Sequence, residues 1–187
     1  MYVEANGDNH LLMVTISGPP GSGTSTLVMK LAESRGWESM NGGQFFREEA
    51  SRRGISVEEL SAKAKHDLDV DRELDSLLQK KLVSADCPEI VESRLSGWWA
   101  HKSNLDCLRV WVQVSDNERA IRIQKREGGS FDECLDRSRR RQGDDMLRYM
   151  ELYGIDLDDM SPYNLIIEAD EKGEDEVFEL VQIELGS

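Results

Sequence analysis

The run Gly18-Pro19-Pro20-Gly21-Ser22-Gly23-Thr24-Ser25-Thr26 constrains this chain more than any other stretch. It follows Leu11-Leu12-Met13-Val14-Thr15-Ile16, a short apolar segment with β-branched residues that reads as a buried strand. It runs into Thr26–Glu33, which reads as a helix. Strand, glycine loop and helix in that order are the setting of a phosphate-binding loop. There, backbone N–H groups wrap an anion and the helix N-terminus adds its positive end. The pattern G-x-x-x-x-G-K-[ST] has a lysine where this chain has Thr24, and Ser25 stands where a hydroxyl holds Mg²⁺. Gly18 to Thr26 therefore predict nucleotide binding. They also pose a question, because the absent lysine is the group that reaches the β- and γ-phosphates.

The rest of the chain alternates strands and helices. Gly36–Met40 reads as a short strand or extended connection, and Gly42-Gly43 opens a helix to about Arg53, with Gly54 as its stop. Ser56 and Glu59 form a capping-box pattern that predicts a helix to about His66. Leu74, Leu77, Leu78 and Leu82 at helical spacing predict another from about Val70 to Leu82. Residues 42–83 thus read as an all-helical insertion between strands. Further strands are predicted over Glu89–Glu92, Leu108–Val114 and Asn164–Glu168. Helices are expected from the Ser115-Asp116 cap to Gly128-Gly129, over 130–153, and from Glu174 to Leu185. The alternation predicts an α/β fold, a parallel sheet with helices on both faces.

At 187 residues the expectation is one domain. A net charge of −14 excludes a general nucleic-acid or anionic-membrane surface, which needs a basic face. No apolar run approaches the ~20 residues of a membrane span. Cys87, Cys107, Cys134 and the three histidines have no zinc-site spacing, and unpaired thiols suit a reducing cytosol. Met1–Asp8 lacks the basic start and apolar stretch of a secretory signal, so a cytoplasmic protein is expected.

Where a lysine is missing, arginines become informative. Arg137, Arg141 and Arg148 fall on one face of the long polar helix. They read either as phosphate ligands or as a solvated face paired with Asp132, Glu133, Asp136, Asp144 and Asp145, and the phosphate loop favours the first reading. Arg119, Arg122 and Arg126 share a face of the preceding helix, either stacking on a base or paired with Glu118 and Glu127. Arg47 lies one turn into the inserted helix, where it can clamp a second phosphate. Arg94 follows the third strand at the carboxyl edge of the sheet, where ligands bind in open α/β folds. Glu92 ends that strand and can accept from a Mg²⁺-bound water; Asp71 and Arg72 can read a base edge or form a surface pair.

Taken together, these stretches resemble the archaeal type of cytidylate kinase, in the nucleoside monophosphate kinase branch of P-loop proteins. The likeness runs from about Leu12 to Glu168. It rests on the loop, on Gly42-Gly43-Gln44-Phe45-Phe46-Arg47, on Val70-Asp71-Arg72-Glu73-Leu74-Asp75, and above all on Ser93-Arg94-Leu95-Ser96-Gly97-Trp98 and Tyr153-Gly154-Ile155-Asp156. The resemblance implies a five-stranded parallel sheet in a three-layer P-loop fold. Residues 42–83 would be the monophosphate-binding segment, about 129–150 a helical lid, and about 11–41, 84–128 and 154–187 the core. It implies ATP and CMP or dCMP as substrates and Mg²⁺ as cofactor; a monomer is expected, because a lid and a moving monophosphate segment leave little rigid surface for an interface. By position, Arg47 and Arg94 would hold the CMP phosphate and Asp71 and Arg72 would lie near its base. Arg141 and Arg148 would close on the transferring phosphates, and Arg122 or Arg126 would serve ATP. Threonine at the loop's lysine position occurs in that family, so Thr24 is compatible with catalysis. Gln44 stands where an acidic residue is usual, and Ser93 where glycine is usual. The rival readings are a P-loop kinase for another acceptor and a nucleotide-binding module without transfer activity.

Overall fold

The computed structural model describes residues 12–56, 59–60, 63 and 68–186. A continuous apolar strand wants both faces covered, and β1 (Val14–Ser17) is buried at all four positions. It lies at the centre of a five-stranded sheet of order β2-β3-β1-β4-β5. The other strands are β2 (Ser39–Asn41), β3 (Ile90–Glu92), β4 (Leu108–Gln113) and β5 (Leu165–Glu168). Every pairing is parallel, with Thr15 level with Val91 on one side and Arg109 on the other.

Among the described residues the helices are α1 (Thr24–Arg35), α2 (Gly42–Arg52), α3 (Leu68–Leu82), α4 (Ser96–Lys102), α5 (Asp116–Glu127), α6 (Phe131–Tyr153) and α7 (Glu174–Leu185). On one face of the sheet, Val14, Ile16, Ile90, Val110 and Val112 pack with Leu27 and Leu31 of α1 and Val177 and Val181 of α7. On the other, Met40 and Val91 pack with Leu78 and Leu82 of α3, Trp99 and Ala100 of α4 and Tyr149 of α6. The three-layer expectation therefore holds. None of the described helices is long and apolar enough to cross a membrane.

Side-chain caps fix the starts of several helices. The Asn41 side chain accepts from Gln44 N at 2.6 Å, Ser115 caps α5, and Ser130 and Glu133 form a capping box on α6. Ser56 and Glu59 make their capping box too, at 2.9 and 3.0 Å; the body of the helix expected to His66 lies outside the described residues, as do Met1–Leu11. Two differences stand out. First, α1 starts at Thr24, because Gly21 and Gly23 take left-handed backbone (φ 87° and 92°) and turn the chain directly into the helix. Second, α4 is absent from the pattern of periodic segments, yet it is folded and buries Ser96, Gly97, Trp99 and Ala100.

All strands run the same way, so β1, β2, β3 and β4 end at one edge. The glycine loop, the start of α2, the Ser93-Arg94 turn and the start of α5 follow those ends in chain order. That edge is where an open parallel sheet places its ligands.

Candidate active site

A cleft of about 950 Å³ opens at this edge. It is lined by the glycine loop, the first turns of α2, Asp75 of α3, the Glu92–Arg94 turn and the inner face of α6. Gly18, Pro19, Pro20, Gly21, Thr24 and Ser25 all reach it, whereas Ser22, Gly23 and Thr26 are not part of its lining.

Three arginines tie down the carbonyl groups of the loop. Arg94 Nη1 donates to Gly18 O, Arg119 Nη1 to Pro20 O at 3.4 Å and Arg122 Nη1 to Ser22 O at 3.1 Å. Arg122 also donates to Ala169 O at 2.6 Å and pairs with Glu118, and Arg119 pairs with Asp116. Neither Arg119 nor Arg122 lines the cleft. In place of base stacking, Arg119 and Arg122 brace the loop: two guanidinium groups grip it from α5. Arg126 does line the cleft and pairs with Glu127.

Ser25 Oγ donates to both carboxylate oxygens of Glu92, at 3.1 and 3.3 Å. A hydroxyl from the helix start and a carboxylate from a strand end thus converge beside the loop. They are hard oxygen donors of the type Mg²⁺ takes, one or two at a time, while keeping phosphates and waters as its other ligands.

Arg94 is nearly buried, with its side chain 11% exposed. Its Nε and Nη2 hold Asp145 Oδ2 of α6 at 3.1 and 3.0 Å. Burial lowers the guanidinium's proton affinity and the Asp145 charge opposes that. The other carboxylate oxygen of Asp145 accepts from Arg148 Nη2 at 3.2 Å. Arg148 also donates to Tyr149 Oη at 2.8 Å, a phenol pushed up to about 12 by burial. One carboxylate therefore bridges two arginines from different elements. In sequence Asp145 is one acid among several on α6. Its spacing of four from Arg141 and three from Arg148 is the signal that it shares their face.

Arg47 and Arg141 both line the cleft, and among the described residues neither has a hydrogen bond or ion pair. Arg137 also lines it and pairs with Glu127 at 3.0 Å. Arg72 turns to Asp69 at 2.8 Å, is half exposed and is not part of the lining. The side chain of Asp71 lies outside the described residues. Ser93 and Ser138 line the cleft with buried hydroxyls that no protein group engages. Tyr153 Oη donates to Asp75 at 2.6 Å and ties the end of α6 to α3.

A glycine loop between β1 and α1, in a parallel sheet whose ligand edge carries arginines from three directions, defines a small P-loop phosphotransferase. Residues 17–147 match the AAA domain family model. The cytidylate kinase of Pyrococcus furiosus is 36% identical over 91% of this chain and 86% of its own length. That of Haloquadratum walsbyi is 40% identical over 82% and 79%. The chain belongs to the cytidylate kinase family. Its fold is shared with a shikimate kinase of Bacteroides thetaiotaomicron, at a TM-score of 0.62 and 17% identity over 93% of this chain and 98% of that one.

Proposed function

We propose that the protein transfers the γ-phosphoryl group of ATP to CMP or dCMP, giving ADP and CDP or dCDP. The observation that carries this reading is the convergence of Arg47, Arg94, Arg141 and Arg148 on one cleft with the phosphate loop. Phosphoryl transfer asks a protein chiefly to align the phosphates and neutralise their charge. The acceptor is already a phosphate anion, so no general base is needed.

In this reading Gly18 to Ser25 cradle the donor phosphates. Arg47 and Arg94 hold the acceptor phosphate, and Asp71 and Arg72, from the segment 42–83, meet the base once Arg72 leaves Asp69. Residues 129–150 act as a lid on which Arg141 and Arg148 advance, and closure excludes the water that would hydrolyse ATP. Thr24 stands at the helix start without the usual positive charge. Ser25 and Glu92 are the residues that would hold Mg²⁺, which, when bound, neutralises charge on the phosphates in transfer. The resting Asp145 bridge places an anion between Arg94 and Arg148, the position a substrate phosphate takes over.

The direct test is to incubate the protein with γ-labelled ATP, Mg²⁺ and CMP and separate the products. Label should appear in CDP. Label in inorganic phosphate alone, or none transferred despite ATP binding, would contradict the proposal and support a binding module.

A further inference from the structure

Resting on the proposed function, we infer that Arg94 supplies the cation that Thr24 leaves missing from the phosphate loop. It then serves the β- and γ-phosphates of the donor as well as the acceptor phosphate. A loop lysine is a positive charge fixed beside the loop before any lid moves. The replacement must meet the same two conditions: contact with the loop and a face on the cleft.

Arg119 and Arg122 contact the loop but do not line the cleft. Arg141 and Arg148 line the cleft but stand on α6, where Arg148 is bonded to Asp145 and Tyr149 of its own helix. Lys30 of α1 is turned to Glu174 and Asp175 at 3.3 and 2.6 Å. Arg94 meets both conditions: it donates to Gly18 O and lines the cleft.

Its position is also built in. Ser17 Oγ donates to Ser93 O at 2.8 Å and Ser93 N to Ile16 O at 3.3 Å, so the turn carrying Arg94 is stitched to the strand that carries the loop. The guanidinium edge not on Gly18 holds Asp145, and a carboxylate and a phosphate oxygen pair occupy such an edge in the same way. A planar fork with five donors can bridge two phosphates, which a single ammonium does less well. Threonine on the loop is then compensated from the neighbouring strand end.

The test measures ADP affinity by calorimetry, without acceptor, for wild type, R94Q, T24K and T24K/R94Q, with circular dichroism to verify folding. R94Q should weaken ADP binding by roughly 10- to 100-fold, the loss of a charge-assisted hydrogen bond. T24K/R94Q should recover most of the affinity that R94Q loses, because the loop lysine supplies the charge in place of Arg94. Should R94Q fail to fold, R94Q/D145N removes both members of the buried pair and asks the same question, with and without T24K. Wild-type ADP affinity in the Arg94 variant, with only a raised KM for CMP, overturns the inference and leaves the proposed function standing. So does weakened affinity that T24K fails to restore. A wild type that binds ADP but phosphorylates no CMP overturns the proposed function, while the ADP series still reads the role of Arg94.

Discussion

Arg141 is exposed on the cleft side of α6, and among the described residues no acid forms an ion pair with it, although the Glu127 carboxylate feels its charge. A guanidinium held in that way is available to a phosphate and contributes little to the resting fold. Replacing it with alanine should lower kcat by roughly 10³–10⁵, as loss of an arginine finger does, and leave the melting temperature nearly unchanged. Steady-state rates beside a thermal melt check both parts. Asp145 differs, because it is the counter-charge of a nearly buried arginine. Asp145→Asn should destabilise the protein by about 1–3 kcal/mol, and CMP should raise the melting temperature of this variant more than that of wild type, since its phosphate restores an anion beside Arg94. Equal ligand-induced shifts would show that the phosphate and Asp145 do not share a place. Singly, Arg47, Arg94, Arg141 and Arg148 were legible from strand ends and helical spacing. That Arg119 and Arg122 face the back of the loop was not, because spacing gives a shared face and only the packing of α5 decides what that face meets.

At the scale of elements, α2 and α3 are joined by charge. Glu49 is buried, holds Arg52 at 2.6 Å and Arg53 at 2.7 Å, and Arg53 reaches Glu73 of α3 at 2.9 Å. The bonds from Arg52, with those from Arg53, pull the Glu49 carboxyl down from 4.5 to about 2. A carboxyl with a lowered folded-state value contributes stability that is fully present above its unfolded value and lost as pH falls through the folded one. The stability gap between wild type and Glu49→Gln should therefore be constant above about pH 4.5 and shrink toward pH 2. Urea melts across that range check it, and a gap independent of pH would mean that Glu49 is not ionised in the fold. Elements with a period or clear stop signals could be read from the chain: α2 between Gly42-Gly43 and Gly54, the leucine-spaced α3, and the long polar α6. By contrast, α4 spans seven residues, too few to show a period, and is held by burying Trp99 and Ala100 rather than by propensity. The strand order has no local signal, since it is set by pairing between distant segments.

At the scale of the molecule, a net charge of −14 surrounds a cleft lined with arginines. Self-repulsion of that size acts on the compact state at low ionic strength and is screened within ~10 Å at 0.1 M salt. The melting temperature should rise as KCl is added from a few millimolar. A flat or falling curve would show that the surface acids are locally compensated. The proposed reaction requires these arginines to make a lysine-free phosphate loop competent for transfer to a cytidine monophosphate. It is tested most directly by steady-state ADP release with ATP and Mg²⁺, offering CMP, dCMP, UMP, AMP and dTMP in turn. Turnover confined to, or greatest by far with, CMP and dCMP is the predicted result. Stronger turnover with AMP or dTMP, or none with any acceptor while ATP still binds, would contradict it.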